Sequence, residues 1–163
     1  METLTAWSNF LVAIAGASAA LVGLVFVALS INLARIIELP GVTGRAAETI
    51  ILLVGVLAGA LTLLIPTWSG LQHGAALLAI ALPTWLVPVR LQVRLVHSRT
   101  YHRLWQAYVR ALLHQAAALP GVFAAATLCA GWTGSMNWFA VGAVLSMLTA
   151  IFSAWILLVE IVR

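Results

Sequence analysis

The sequence predicts an all-α integral membrane bundle of five transmembrane helices, with the N-terminus outside and the C-terminus cytoplasmic. Three observations lead there. Hydrophobic residues make up 64% of the chain and charged residues 7%, whereas a soluble domain carries roughly a quarter charged. A helix needs about 20 predominantly apolar residues to cross roughly 30 Å of hydrocarbon, and such runs recur five times. The eight arginines fall in alternate connections, so only an odd number of crossings gathers them on one side.

The first span runs from about Trp7 to Leu33. The segment before it, METLTAWSNF, has no basic residue, and the apolar run behind it is too long for the core of a signal peptide, so the span is expected to be retained. The second runs from Thr49 to Trp68, and Glu48 just ahead of it suits the positive end of a helix. The third runs from Gln72 to Val89, after the uncharged turn SGLQHG. The fourth occupies about Ala107 to Trp132, its helix expected to begin near Ser98 as N-cap and to project beyond the bilayer or lie along the interface. TGSMN then leads into the fifth, from Asn137 to Val159. None of these runs shows the alternating, roughly ten-residue pattern of a barrel strand. Residues 1–163 therefore form one domain, with no room for a separate soluble domain of about 100 residues.

Arg35 and Arg45 lie in the first connection, five arginines lie in the basic stretch 90–110, and Arg163 ends the chain. The positive-inside rule assigns that side to the cytoplasm. Trp7, Trp68, Trp132 and Trp138 then fall at the outer boundary, where an aromatic belt belongs, and His73 is expected to face the outer water. The pI near 10.7 is explained by this topology, and no nucleic-acid partner is expected from a short stretch beside a membrane.

Helices in lipid associate by close approach at small residues. Ala13, Gly16, Ala20 and Gly23 form one such stripe in the first span. Gly55, Gly59 and Thr62 form a second, and Gly142, Ser146, Thr149 and Ser153 a third. Each stripe serves either packing inside the bundle or contact with another copy. Pro66, Pro83, Pro88 and Pro120 lie in or near spans two to four, where each removes a backbone donor and can kink its helix.

Arg99, Arg103, Gln106, Arg110 and His114 share one helical face, opposite Tyr101, Leu104, Trp105 and Tyr108. Arg99, Arg103, Arg110 and His114 are candidate contacts for anionic lipid head groups at the cytoplasmic face of the bilayer, or for a permeating anion if oligomer copies ring a pore. His97, His102 and His114 are too close in sequence to ligate haem from opposed helices, and zinc would want more ligands than these, the lone Cys129 being remote. No cofactor or metal is expected. With no aspartate in the chain and each glutamate terminal or interfacial, no catalytic set can be assembled, and no enzyme activity is expected.

The run GASAALVGLVFVALSIN from Gly16 to Asn32, followed by LARII and LPGVTGRAAETIILL, resembles a pattern found in a family of small multi-pass bacterial membrane proteins. The resemblance covers roughly the first third of the chain, and its most specific elements are Gly16, Ser18, Gly23, Ser30, Asn32, Arg45 and Glu48. It implies a bacterial inner-membrane protein and assigns no activity. Ser30, Asn32, Arg45 and Glu48 are close in depth and form a candidate interfacial cluster, acting as a helix staple or as a ligand or ion site. The expected function is non-enzymatic, through association as a homo-oligomer or as a small subunit of a larger membrane complex. The alternative is a homo-oligomeric channel or transporter for a small ion or solute.

Overall fold

The computed structural model describes residues 4–31, 33, 42–97 and 104–162. Among them a 3-10 turn at Leu4–Trp7 leads into five helices: α1 (Ser8–Ile31), α2 (Val42–Leu63), α3 (Gly70–His97), α4 (Leu104–Cys129) and α5 (Ser135–Val162). All five are long and apolar enough to cross a membrane, and the described residues contain no strand.

Helix α2 packs on α3, α3 on α4, α4 on α5 and α5 back on α2, so these four close into a bundle. Helix α1 lies against the outside of α2 and only grazes α5. The largest core cluster joins Leu11 and Ile14 of α1 to Ala60 and Leu63 of α2, Leu77 of α3, Ala124 and Ala125 of α4, and Phe139 and Ala143 of α5. Alanine is frequent here because lipid is as apolar as any side chain, and contact surface comes from bringing backbones close. The hydroxyl of Ser146 in α5 donates to the carbonyl of Ala117 in α4 at 3.3 Å. A β-carbon added to Gly142 would stand 3.0 Å from the backbone nitrogen of Gly121.

Local sequence sets the turns. Pro66 cannot continue α2, whose last turn tightens as Leu64 and Ile65 donate to Leu61 and Thr62. Ser69 and Gln72 then cap α3 reciprocally: the Ser69 backbone N–H donates to Gln72 Oε1 at 2.8 Å and the Gln72 N–H to Ser69 Oγ at 3.3 Å. Just past the end of α4 stands Gly131, whose φ of 70° is the left-handed conformation that glycine adopts freely. Gly131 N–H donates to Leu128 and Trp132 N–H to Thr127, which satisfies carbonyls the helix end leaves over.

Three boundaries differ most from expectation, one of them the end of α2, which falls at Leu63 and not at the expected Trp68. Helix α2 opens at Val42, ahead of the apolar run expected from Thr49, and so carries Arg45 and Glu48 on its first turns. Helix α3 continues past the expected Val89 to His97, with Pro83 and Pro88 inside it. Trp7, Trp68, Trp132 and Trp138 all lie at one end of the bundle, while Arg45, Arg90 and Arg110 lie toward the other.

Candidate functional site

The strongest concentration of polar groups within the described residues forms where α2 and α4 begin and α5 approaches its end. Arg45 and Glu48 are three residues apart on α2, and Arg110 and His114 four apart on α4, spacings that put each pair on one helical face. The two faces meet. Arg110 Nε donates to Glu48 Oε2 at 2.8 Å, and Arg110 Nη2 lies 2.7 Å from the same oxygen. Glu48 is 5% exposed, so its carboxylate is held out of water by the neighbouring helices.

This pairing uses one carboxylate oxygen where a fork-to-fork arrangement would use both. Oε1 of Glu48 is buried without a hydrogen-bond partner. Gln92 of α3 stands beside the carboxylate, yet its amide nitrogen closes no hydrogen bond. His114 is 2% exposed, with its ring beside the Trp85 carbonyl of α3, and neither ring nitrogen reaches a hydrogen bond of ordinary length and angle. The Trp85 indole N–H donates to Gln115 Oε1, which pins α3 to α4 next to the site. Such unsatisfied buried atoms are uncommon and ask for a physical reason.

A cleft of about 230 Å³ opens at this cluster. Its polar wall is formed by Arg45, Glu48, Thr49, Arg110, His114 and, from α5, Thr149 and Ser153. The remaining wall is apolar and includes Leu52, Trp105, Leu113 and Phe152. Trp105 and Phe152 are 74% and 54% exposed, so the apolar side of the cleft continues onto the outer surface of the bundle. Chemically, the site offers two guanidinium groups, a carboxylate oxygen that no donor reaches at hydrogen-bond length and angle, and an imidazole beside the Trp85 carbonyl, near the end of the bundle where the apolar stretches of α2 and α4 begin. Among the described residues no group of three or more His, Cys, Asp or Glu is placed to hold a metal ion.

The structure thus joins halves of two candidate sets, bringing Arg110 and His114 together with Arg45 and Glu48. Ser30 is exposed and gives its hydroxyl to the Phe26 carbonyl of its own helix, at 2.8 Å. Asn32, Arg99 and Arg103, like the expected N-cap Ser98, lie outside the described residues. Gln92, Trp85 and Gln115 were not among the sequence candidates. Only their polarity within an apolar run, at positions on the arginine-rich half of α3 and α4, marks them.

His73, expected to face the outer water, is instead 1% exposed. Its Nδ1 and Nε2 each lie 3.0 Å from a carbonyl, of Ser69 and Ile65 respectively. The ring fastens the end of α2 that Pro66 interrupts, with the Trp68 ring at a centroid distance of 5.7 Å.

The small-residue stripes divide. Gly55 sits against Thr84, Gly59 against Leu77 and Phe139, and Gly142 against Gly121 and Pro120, so these face partners inside the bundle. Gly16 and Gly23 have nothing within 4 Å of an added β-carbon, and Ala13 and Ala20 are exposed beside them. Comparison with known proteins returned no match: no family model, no curated protein and no solved structure is similar to this chain.

Proposed function

We propose that this chain is a non-enzymatic bacterial inner-membrane protein that acts by associating through α1 with a second copy of itself, its arginine-rich end in the cytoplasm and its N-terminus outside. The observation that carries the reading is the open stripe on α1. Gly55 and Gly59 of α2 and Gly142 and Ser146 of α5 face neighbours within the chain, while Ala13, Gly16, Ala20 and Gly23 face outward from a helix already peripheral to the four-helix body.

Their spacing of three, four and three residues repeats over a heptad, which suits a shallow left-handed crossing of about 20°. The stripe is self-complementary, as a two-fold contact requires. Beside it, between α1 and α5, an apolar groove of about 410 Å³ lined by Leu24, Val25, Ile151 and Trp155 offers room for side chains from the facing copy. A small subunit docking α1 into a larger membrane complex would use the same stripe.

The test is disulfide trapping in native membranes. In a Cys129→Ala background, Ala20→Cys is expected to form a dimer on mild oxidation, whereas a cysteine at Leu61, exposed on α2, is not. Dimer from the α2 position and none from α1 would overturn the assignment. The alternative of a channel lined by Arg110 and His114 requires in a pore two side chains that line the cleft within one protomer, and liposome flux sensitive to both would be needed to support it.

A further inference from the structure

We infer that the cleft at Glu48 and Arg110 binds the head group of one membrane lipid, an anionic phosphodiester that carries a free hydroxyl, with the acyl chains lying outward over Leu113 and Phe152. The site is independent of the association through α1, since no residue of α1 lines the cleft.

The charge balance selects an anion. Among the described residues of the cleft wall Arg45 and Arg110 stand against the single carboxylate of Glu48, and arginine suits phosphate oxygens because its planar fork presents several donors at once. The unpartnered atoms select the rest of the head group. Glu48 Oε1 is buried, and although Gln92 stands beside the carboxylate no donor reaches this oxygen at hydrogen-bond length and angle. A phosphodiester by itself carries no proton to give it, and a choline head has no donor either. A hydroxyl two or three bonds beyond the phosphodiester donates to Oε1 while its own oxygen can accept from the imidazole of His114, so one group meets two unsatisfied partners. Leaving such atoms unmade costs their full desolvation, which is why a resident ligand is favoured.

Size and position select a lipid over a soluble molecule. A volume of about 230 Å³ falls below the roughly 300 Å³ at which pockets for drug-sized ligands begin, so it takes a head group and excludes the chains. The cleft's apolar wall runs onto exposed Trp105 and Phe152, where acyl chains would lie. The spans of α2 and α4 begin at Thr43 and Tyr108 and that of α5 closes at Trp155, so the cleft sits at head-group depth.

The experiment uses the full chain reconstituted in vesicles holding equal amounts of phosphatidylglycerol, phosphatidylmethanol and phosphatidylcholine, released gently and weighed by native mass spectrometry. Phosphatidylmethanol has the same charge as phosphatidylglycerol and no hydroxyl. One phosphatidylglycerol per chain is expected to be retained, about thirtyfold over phosphatidylmethanol, the worth of two additional hydrogen bonds, and phosphatidylcholine least. Soluble glycerophosphoglycerol in excess should fail to displace it, and displacement would show a free phosphodiester site in place of a lipid site. Ser153→Leu, which fills the cleft without touching the Glu48 and Arg110 pair, should abolish the preference while the melting temperature stays within a few degrees. Equal retention of the three lipids by the unaltered chain overturns the proposal, as does a preference that survives in a folded Ser153→Leu protein.

Discussion

Arg110 on α4 places both Nε and Nη2 on a single oxygen of Glu48, at 2.8 and 2.7 Å, across 62 residues of sequence. This contact ties the beginning of α4 to the beginning of α2, two helices that are not the principal neighbours in the bundle. Breaking one side leaves a charge in a poorly hydrated place, whereas removing both leaves only a packing change. Arg110→Met is therefore expected to cost about 3 kcal/mol and the double variant Glu48→Leu with Arg110→Met about 1 kcal/mol or less. Unfolding in mixed micelles, read as a double-mutant cycle, measures the difference. Additive losses would show that the pair does not act as a unit.

Glycine substitutions should separate internal packing from the open stripe. An added β-carbon at Gly74 would lie 2.7 Å from the backbone nitrogen of Cys129, so Gly74→Ala forces α3 and α4 apart at a cost of about 1 to 3 kcal/mol. Gly16→Ala and Gly23→Ala meet nothing inside the chain, and the folded protomer should gain a few tenths of a kcal/mol or stay unchanged. Thermal melts in detergent, under conditions that keep the protein monomeric, check both expectations.

The five long apolar helices were legible in the sequence because length and apolarity are local properties of the chain. Their ends were less so. Arg45 looked like a loop residue and Glu48 like the opening of the apolar run, whereas the helix begins ahead of both at Val42, and the contact of Glu48 with Arg110 is provided by a distant helix. The candidate residues themselves were recognisable as polar groups of similar depth. Which of them meet depends on the rotation of each helix about its axis, and spacing within one helix does not encode that. His73 was misplaced for a related reason: a histidine in a turn between two spans suggests water, while its two carbonyl partners exist only once Pro66 has interrupted α2.

Ser18 offers a test of an opposite kind. Its hydroxyl is fully buried on α1 and has no hydrogen-bond partner among the described residues. Replacing it removes an unsatisfied group, so Ser18→Ala should leave stability unchanged or raise it by about 1 kcal/mol. A loss above about 1 kcal/mol in chemical unfolding would mean that the hydroxyl has a partner within the folded chain.

His73→Ala should loosen the hairpin of α2 and α3 at the tryptophan-rich end. The change leaves the Ile65 carbonyl without the ring that now lies 3.0 Å away, and the expected cost is about 1 to 3 kcal/mol. Because Gly74, the next residue, packs on Cys129, maleimide labelling of that thiol should also accelerate. Unchanged stability and labelling would show that the ring is not a fastening.

The orientation proposed for the chain predicts that Thr133→Cys, in the turn between α4 and α5, reacts with an impermeant thiol reagent added to intact cells, whereas Arg90→Cys reacts only after the membrane is opened. The reverse pattern would place the arginine-rich end outside.

Association through α1 is tested most directly by counting subunits. Single-molecule photobleaching of the fluorescently tagged chain in bilayers, at densities too low for chance overlap, should give mostly two-step traces. Those should revert to single steps in the Gly16→Leu, Gly23→Leu variant while its melting temperature as a monomer is preserved. Single-step traces for the unaltered chain, or two-step traces that persist when both glycines are replaced, would contradict the account.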